Sequence, residues 1–202
     1  MVSRVVAKAE LLDHLISDLL DFGSLERGKL RIDVGPMLLK PLVLRVIGSE
    51  DGRVSAHEIH VNIDDDFVVN ADPDAFGRVL SNLLTNAAKF SAAGSPITID
   101  ASRTGEDVVV SVTDTGIGIP VDERANIFER FYRVSRGERA APGTGVGLAI
   151  AKDFVEAQGG QIWVAEPVHA KGTTISFTLP LVRDGADDES ATSTPTKTSS
   201  LA

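Results

Sequence analysis

The apolar positions of the first 22 residues fall on one helical stripe. Val2, Val5, Ala9, Leu12, Ile16 and Leu19 are separated by alternating steps of three and four, the spacing of a coiled-coil seam. Nothing within the segment partners that seam. A helix packed on its own domain is one reading. We prefer a helix packed on a neighbouring chain or on a further helix, because the later pattern closes a domain without it. Gly23 and Gly28 weaken the helix, and Leu30–Val34 alternates as a short strand. Met37–Ile47 predicts a second helix, interrupted awkwardly by Pro41. Glu58–Ile63 alternates as a strand, with Phe67–Val69 able to pair with it.

The strongest helical signal begins at Asp72, an N-cap residue followed by Pro73 at the first helical position and Asp74 in the first turn. The pattern runs to Phe90 and breaks at Ser91–Pro96. Strands at Ile97–Ser102 and Val108–Asp114 flank a turn at Thr104–Asp107 and predict a hairpin. Residues 115–143 are rich in Gly, Pro and Arg, with one short helix predicted near Val121–Phe131. A helix over Thr144–Gln158 stops at Gly159–Gly160, and strands at Gln161–Ala165 and Thr173–Leu179 follow. The tail from Arg183 to Ala202 is aperiodic and rich in Ser, Thr and Asp, a composition that predicts disorder.

Composition narrows the classes. The chain has 202 residues, no Cys and four scattered His, which excludes disulfides and thiolate chemistry and disfavours a histidine metal cage. No apolar run reaches the roughly 20 residues of a membrane span. The net charge of −9 argues against non-specific nucleic-acid binding and against docking on anionic lipid. It leaves room for a local basic pocket.

Four segments carry candidate chemistry. With Asn82 at 0° on its helix, Asn86 falls at about 40°, Lys89 at about −20° and Arg78 at about −40°, whereas Leu80, Leu83, Leu84 and Ala87 occupy the opposite side. Two amides and two cations thus share one face; a merely solvated polar face is the alternative. Asp114-Thr-Gly-Ile-Gly-Ile-Pro120 ends a strand with a carboxylate and two closely spaced Gly, which permit close approach of a ligand; a plain Gly-rich turn would look the same. Gly143-Thr-Gly-Val-Gly-Leu148 opens a helix, where backbone N–H groups can cradle phosphate. It is neither a Walker A loop nor a good dinucleotide fingerprint. Between the Gly motifs, residues 124–139 hold Arg124, Arg130, Arg133, Arg136 and Arg139 against Glu129 and Glu138. That is a cationic loop suited to covering an anion, or an ordinary surface loop.

In order and spacing, Asn-x3-Asn-x2-Lys (Asn82–Lys89), Asp-x-Gly-x-Gly (Asp114–Gly118), Phe-x2-Phe (Phe128–Phe131) and Gly-x-Gly-x-Gly (Gly143–Gly147) together resemble the ATP-binding catalytic domain of sensor histidine kinases. The resemblance covers about residues 30–182. Leu19–Lys29 is similar to the end of that family's dimerisation and phosphotransfer hairpin. The resemblance implies a two-layer α/β sandwich with a mixed sheet and a Bergerat-type ATP site, preceded by an N-terminal helix. It also implies three regions: part of the hairpin over 1–28, the catalytic domain over 29–182 and a tail over 183–202.

It further implies roles. Asn86 would ligate Mg²⁺, Asn82 would support metal or phosphate, and Lys89 would neutralise phosphate. Phe90 would pack on adenine, and Asp114 would accept from its N6 amine, with Gly116 and Gly118 permitting approach and Ile119 beside them. Gly143, Thr144, Gly145, Val146, Gly147 and Leu148 would wall the phosphates, and Arg130 and Arg133 would reach the γ-phosphate. Asn82, Lys89 and Arg130 form the implied catalytic set. Relatives in the wider superfamily carry Glu where this chain has Asn82. An amide cannot act as general base, so poor intrinsic hydrolysis and transfer to a protein nucleophile are expected.

The family's acceptor is a His on the first hairpin helix. His14 lies off the seam and reads as an ordinary surface residue, and His57, His60 and His169 have no acceptor context either. The acceptor is therefore expected on a hairpin supplied by a longer chain or by a partner subunit, in a homodimer that relays phosphate to a response regulator. The family commonly places this domain on the cytoplasmic side of a membrane-anchored sensor. Two other readings stay open: a nucleotide-binding regulatory module without transfer activity, and a Ser/Thr kinase of the anti-sigma-factor type.

Overall fold

The computed structural model describes residues 32–134, 144–166 and 171–182. The expected N-terminal helix with His14, the loop residues Arg136, Arg139 and Gly143, His169 and the tail lie outside these residues. In chain order the elements are β1 (Gly35–Leu38), α1 (Leu39–Ser49), α2 (Asp51–Val54), β2 (Glu58–Asn62), β3 (Val68–Ala71), α3 (Pro73–Phe90), β4 (Pro96–Thr104) and β5 (Asp107–Asp114). A 3₁₀ turn (Val121–Glu123), α4 (Gly147–Ala157), β6 (Ile162–Ala165) and β7 (Thr173–Pro180) complete them.

The main sheet has the order β2-β4-β5-β7-β6. β2 runs parallel to β4 and every other pair is antiparallel, so the sheet is mixed, as expected. Its alternation explains the layering. Ile97, Ile99, Val108, Val110, Val112, Ile175, Phe177 and Leu179 point to one side and are buried under α1, α3 and α4. Phe76 of α3 meets Phe177 of β7 across the layers, with ring centroids 6.1 Å apart, a separation at which tilted aromatic pairs attract. On the other side the hydroxyls of Ser111 and Ser176 lie 2.7 Å apart, and those of Thr113 and Thr174 3.1 Å apart, so neighbouring strands satisfy each other's polar groups. Among the described residues, no helix is long and apolar enough to cross a membrane.

α3 positions the site. Its apolar stripe of Ala75, Phe76, Val79, Leu80, Leu83, Leu84 and Ala87 is buried, which forces the amide-bearing face away from the sheet. Asp72 caps it, accepting from the N–H groups of Asp74 and Ala75, both at 2.9 Å. The same carboxylate accepts from the Asp33 N–H at 2.7 Å, and the Asp72 N–H donates to Gln158 Oε1 at 2.9 Å. The N-terminus of α3 is thereby tied to the C-terminal end of α4.

Four local expectations need correction. Ile32–Val34 is not a strand: the Asp33 N–H is taken by Asp72, and pairing starts at Gly35. α1 begins two residues later than expected, which puts Pro41 in its first turn, where a missing N–H costs nothing. Phe67–Val69 does not pair with β2. β3 pairs with β1, while the face-to-core match of Ile59 and Val61 with Ile97 and Ile99 gives β2 to β4. Val121–Phe131 is not a helix beyond its 3₁₀ start. Successive three-residue bonds (Glu123 to Pro120, Asn126 to Glu123, Glu129 to Asn126, Tyr132 to Glu129) build a staircase of tight turns instead.

Three backbone donors, Ala75, Asp33 and Asp74, hold the Asp72 carboxyl below its ordinary 3.8 although burial works the other way. A depressed carboxyl stabilises the fold above its unfolded pKa, and that contribution is lost as pH falls through the folded value. Asp72→Ala is therefore expected to cost about 1–2 kcal/mol at pH 7. In urea titrations the gap from wild type should close as pH drops below the ordinary carboxylate range.

Candidate nucleotide-binding site

Two segments reach the exposed face of α3, and a third packs against one of them. At its C-terminal end, Gly116 lies directly under the Phe90 carbonyl, so close that a Cβ there would overlap that oxygen. Midway along it, the Asn82 Oδ1 sits 2.8 Å from where a Cβ on Gly147 would be, against the first turn of α4. Gly145, at φ +73°, packs its Cα onto the Phe131–Tyr132 backbone. Asn82 and Phe90 are eight residues apart, about 12 Å along the helix, which separates an end near Asp114 from an end near α4.

Asp114 is buried at the first of these ends. Its Oδ1 accepts from the Gly116 N–H at 2.7 Å and from the Ser91 hydroxyl at 3.4 Å. Burial pushes its carboxyl above the ordinary 3.8, opposed by the hydrogen bonds from Gly116, Thr173 and Ser91. Gly118, at φ +73°, faces the Gly172 carbonyl at 3.1 Å from its would-be Cβ, and Gly172 abuts the Asp114 carbonyl. The turn that follows Asp114 is thus locked to the start of β7. Ser91, Gly172 and Thr173 were missed in the sequence. A Lys-Gly-Thr turn before a strand carries no ligand signal until β7 is known to lie beside β5.

Along the same face of α3, no side-chain hydrogen bond of Asn86 is found among the described residues. The Lys89 ammonium lies over the Phe90 ring, 4.6 Å from its centroid. Partial desolvation, and after it the positive charge of Arg133, hold Lys89 below the usual lysine range. Two cations converging in this way make a site for an anion. Thr144 Oγ1 accepts from the Val146 N–H at 3.3 Å. The helix opens at Gly147, three residues later than expected, because Gly145 occupies a left-handed conformation. Leu148 packs against the core beside it, and Ile119 is half-buried in the loop after Asp114.

Arg130 Nη2 lies 3.2 Å from Asp153 Oδ2 on α4. Nearby, Tyr132 OH donates to Glu123 at 3.2 Å, and Arg124 pairs with Glu166 at 2.9 Å.

A profile of the histidine kinase-, DNA gyrase B- and HSP90-like ATPases matches residues 71–183. The chain belongs to that family. Within the family its relatives are sensor kinases. It is 46% identical over 128 residues to sensor histidine kinase WalK of Bacillus subtilis (strain 168), covering 62% of this chain and 21% of that one. It is 38% identical over 185 residues to the adaptive-response sensory kinase SasA of Trichormus variabilis, covering 90% and 46%. Among solved structures, the mycobacterial sensor histidine kinase MprB superposes with a TM-score of 0.66 at 33% identity, covering 73% of this chain and 98% of that one. Full-length ShkA in complex with AMPPNP gives 0.73 at 30%, covering 89% and 38%. The family's ATP-binding catalytic domain is thus the fold described above, and the chain spans less than half the length of the two curated relatives.

The raised carboxyl makes a test that needs no ligand. A carboxyl with an elevated folded pKa destabilises the fold as pH rises from 3.8 through that value. Asp114→Asn keeps an Oδ1 acceptor for Gly116 and Ser91 while removing the buried charge. The variant should have a higher urea midpoint than wild type at pH 7, with the difference gone below pH 3.8.

Proposed function

We propose that the face of α3 binds Mg-ATP and that the domain transfers the γ-phosphoryl group to a histidine on the dimerisation hairpin of the full-length sensor or a partner subunit, for relay to a response-regulator aspartate. The approach of Gly116 to the Phe90 carbonyl and of Gly147 to Asn82, both along the polar face of α3, is the observation that supports this most. Adenine would lie at the Asp114 end, its N6 amine donating to the carboxylate, with Phe90 and Ile119 beside the ring. Gly116 and Gly118 would let the backbone turn under it. The phosphates would run toward α4, facing Thr144, Gly145, Val146, Gly147 and Leu148, and Gly143 would extend that wall. The complex of ShkA with AMPPNP is a relative's precedent for a nucleotide analogue on this fold.

Magnesium fits the donors present. It takes hard oxygen ligands, keeps several waters and is commonly held by one or two protein groups plus phosphates. Asn86 offers an amide oxygen on the right helix face, and no group of three or more His, Cys, Asp or Glu that could hold a metal exists among the described residues. Asn86 would hold the ion and Asn82 would support it; bound there, magnesium would neutralise phosphate charge. In the transfer, the imidazole nitrogen would attack the γ-phosphorus as the bridging P–O bond breaks and ADP leaves. Lys89 and Arg133 would stabilise the charge shared over the equatorial oxygens. Asn82, standing against α4 where a hydrolase would need a carboxylate base, would leave water unactivated. The domain would act on the cytoplasmic side of the membrane.

Calorimetric titration tests the site. Asn86→Ala should weaken Mg-ATP binding by about tenfold or more, the scale of one charge-assisted contact, and unchanged affinity would refute the assignment. Incubation of the chain with labelled ATP and the complete acceptor hairpin tests the reaction. Acid-labile label on the hairpin is the expected outcome. Acid-stable label would indicate a hydroxyl acceptor, and binding without label a regulatory module.

A further inference from the structure

We propose that Arg130 acts on nucleotide binding as a positioning residue, through its ion pair with Asp153, and not as a phosphate ligand; the proposal rests on the nucleotide reading of the site given above. Asp153 lies six residues beyond Gly147, so Arg130 is drawn about 9 Å along α4 from the helix end that would face phosphate. Two partners brace the same segment. Tyr132 is held by Glu123 at 3.2 Å, and the Phe131 N–H donates to the Gly145 carbonyl at 2.8 Å. Phe131 sits at φ +65°, a conformation that a non-glycine residue keeps only where its surroundings fix it. The segment from Phe128 is therefore pinned to α4 at Arg130 and to the turn before α4 at Phe131. The next charged residue, Arg133, stands in the field of Lys89. Two arginines three residues apart thus have different work: Arg130 sets where the segment lies, and Arg133 faces the anion. The pair also neutralises the Asp153 carboxylate on the helix whose N-terminus would bind phosphate.

The test is a double-variant cycle read by calorimetry with Mg-ATP and Mg-ADP as titrants. Arg130→Gln and Asp153→Asn should each weaken Mg-ATP by a similar factor, about threefold, and the combined variant should be no weaker than either, as expected when two residues act as one unit. The charge-swapped pair, Arg130→Asp with Asp153→Arg, should recover most of the affinity. Arg133→Gln should lower the ratio of Mg-ATP to Mg-ADP affinity more than Arg130→Gln does. If Arg130→Gln lost Mg-ATP binding while Asp153→Asn bound normally, Arg130 would be a direct ligand and the proposal would be wrong. Wild-type affinity in both single variants would also overturn it. A wild-type chain that bound no Mg-ATP would instead sink the reading of the site on which the proposal stands. Urea midpoints of all variants separate these outcomes from loss of folding.

Discussion

The burial of one side of α3 is the constraint on which the rest depends. Two asparagines are poor helix formers, and two cations plus a polar face cannot be packed against a sheet. The helix exists because Phe76, Val79, Leu80, Leu83 and Leu84 are sealed onto β4, β5 and β7 and because Asp72 closes its first turn. With that side fixed, Asn82, Asn86 and Lys89 have one direction left in which to point. The surrounding segments are then shaped to come close to this helix: Gly116 under its last carbonyl and Gly147 against Asn82. Any side chain at these two positions would hold its segment off the helix and widen the pocket.

Electrostatics marks the polar face of α3 in two ways. Burial leaves the Asp114 carboxyl reluctant to ionise; partial desolvation, and after it the charge of Arg133, depresses Lys89. Neither condition favours the folded state by itself. Both would be relieved by a ligand that donates a hydrogen bond to the one group and brings negative charge to the other, as the proposed adenine nucleotide would. This is the pattern expected where a fold retains local instability for binding.

Much of this was legible in the sequence. The period of α3, its Asp-Pro start, the β4–β5 hairpin around Gly105 and the stop at Gly159 each follow from local rules, and the structure keeps them. Partner choice was not legible. Phe67–Val69 carries the alternation of a strand but no mark saying that β1 rather than β2 is its neighbour, since that is settled by which strand best completes the core at Ile97 and Ile99. The run Val121–Phe131 has helix-compatible residues, and its tight turns arise from tertiary ties at Tyr132 and Gly145. The family resemblance set Arg130 beside Arg133 as a γ-phosphate contact, because no local pattern shows that Asp153, on a helix further along the chain, lies against Arg130.

The parallel pairing of β2 with β4 has a kinetic consequence. β4 and β5 meet through a two-residue turn and can zip locally, whereas β2 reaches β4 only by a crossover that contains β3 and the whole of α3. Closing so large a loop carries an entropic cost that local pairing does not. The central hairpin can therefore assemble first, and the outer parallel strand can add only once the crossover helix has docked, so the amide-bearing surface should be in place before the sheet has its full width.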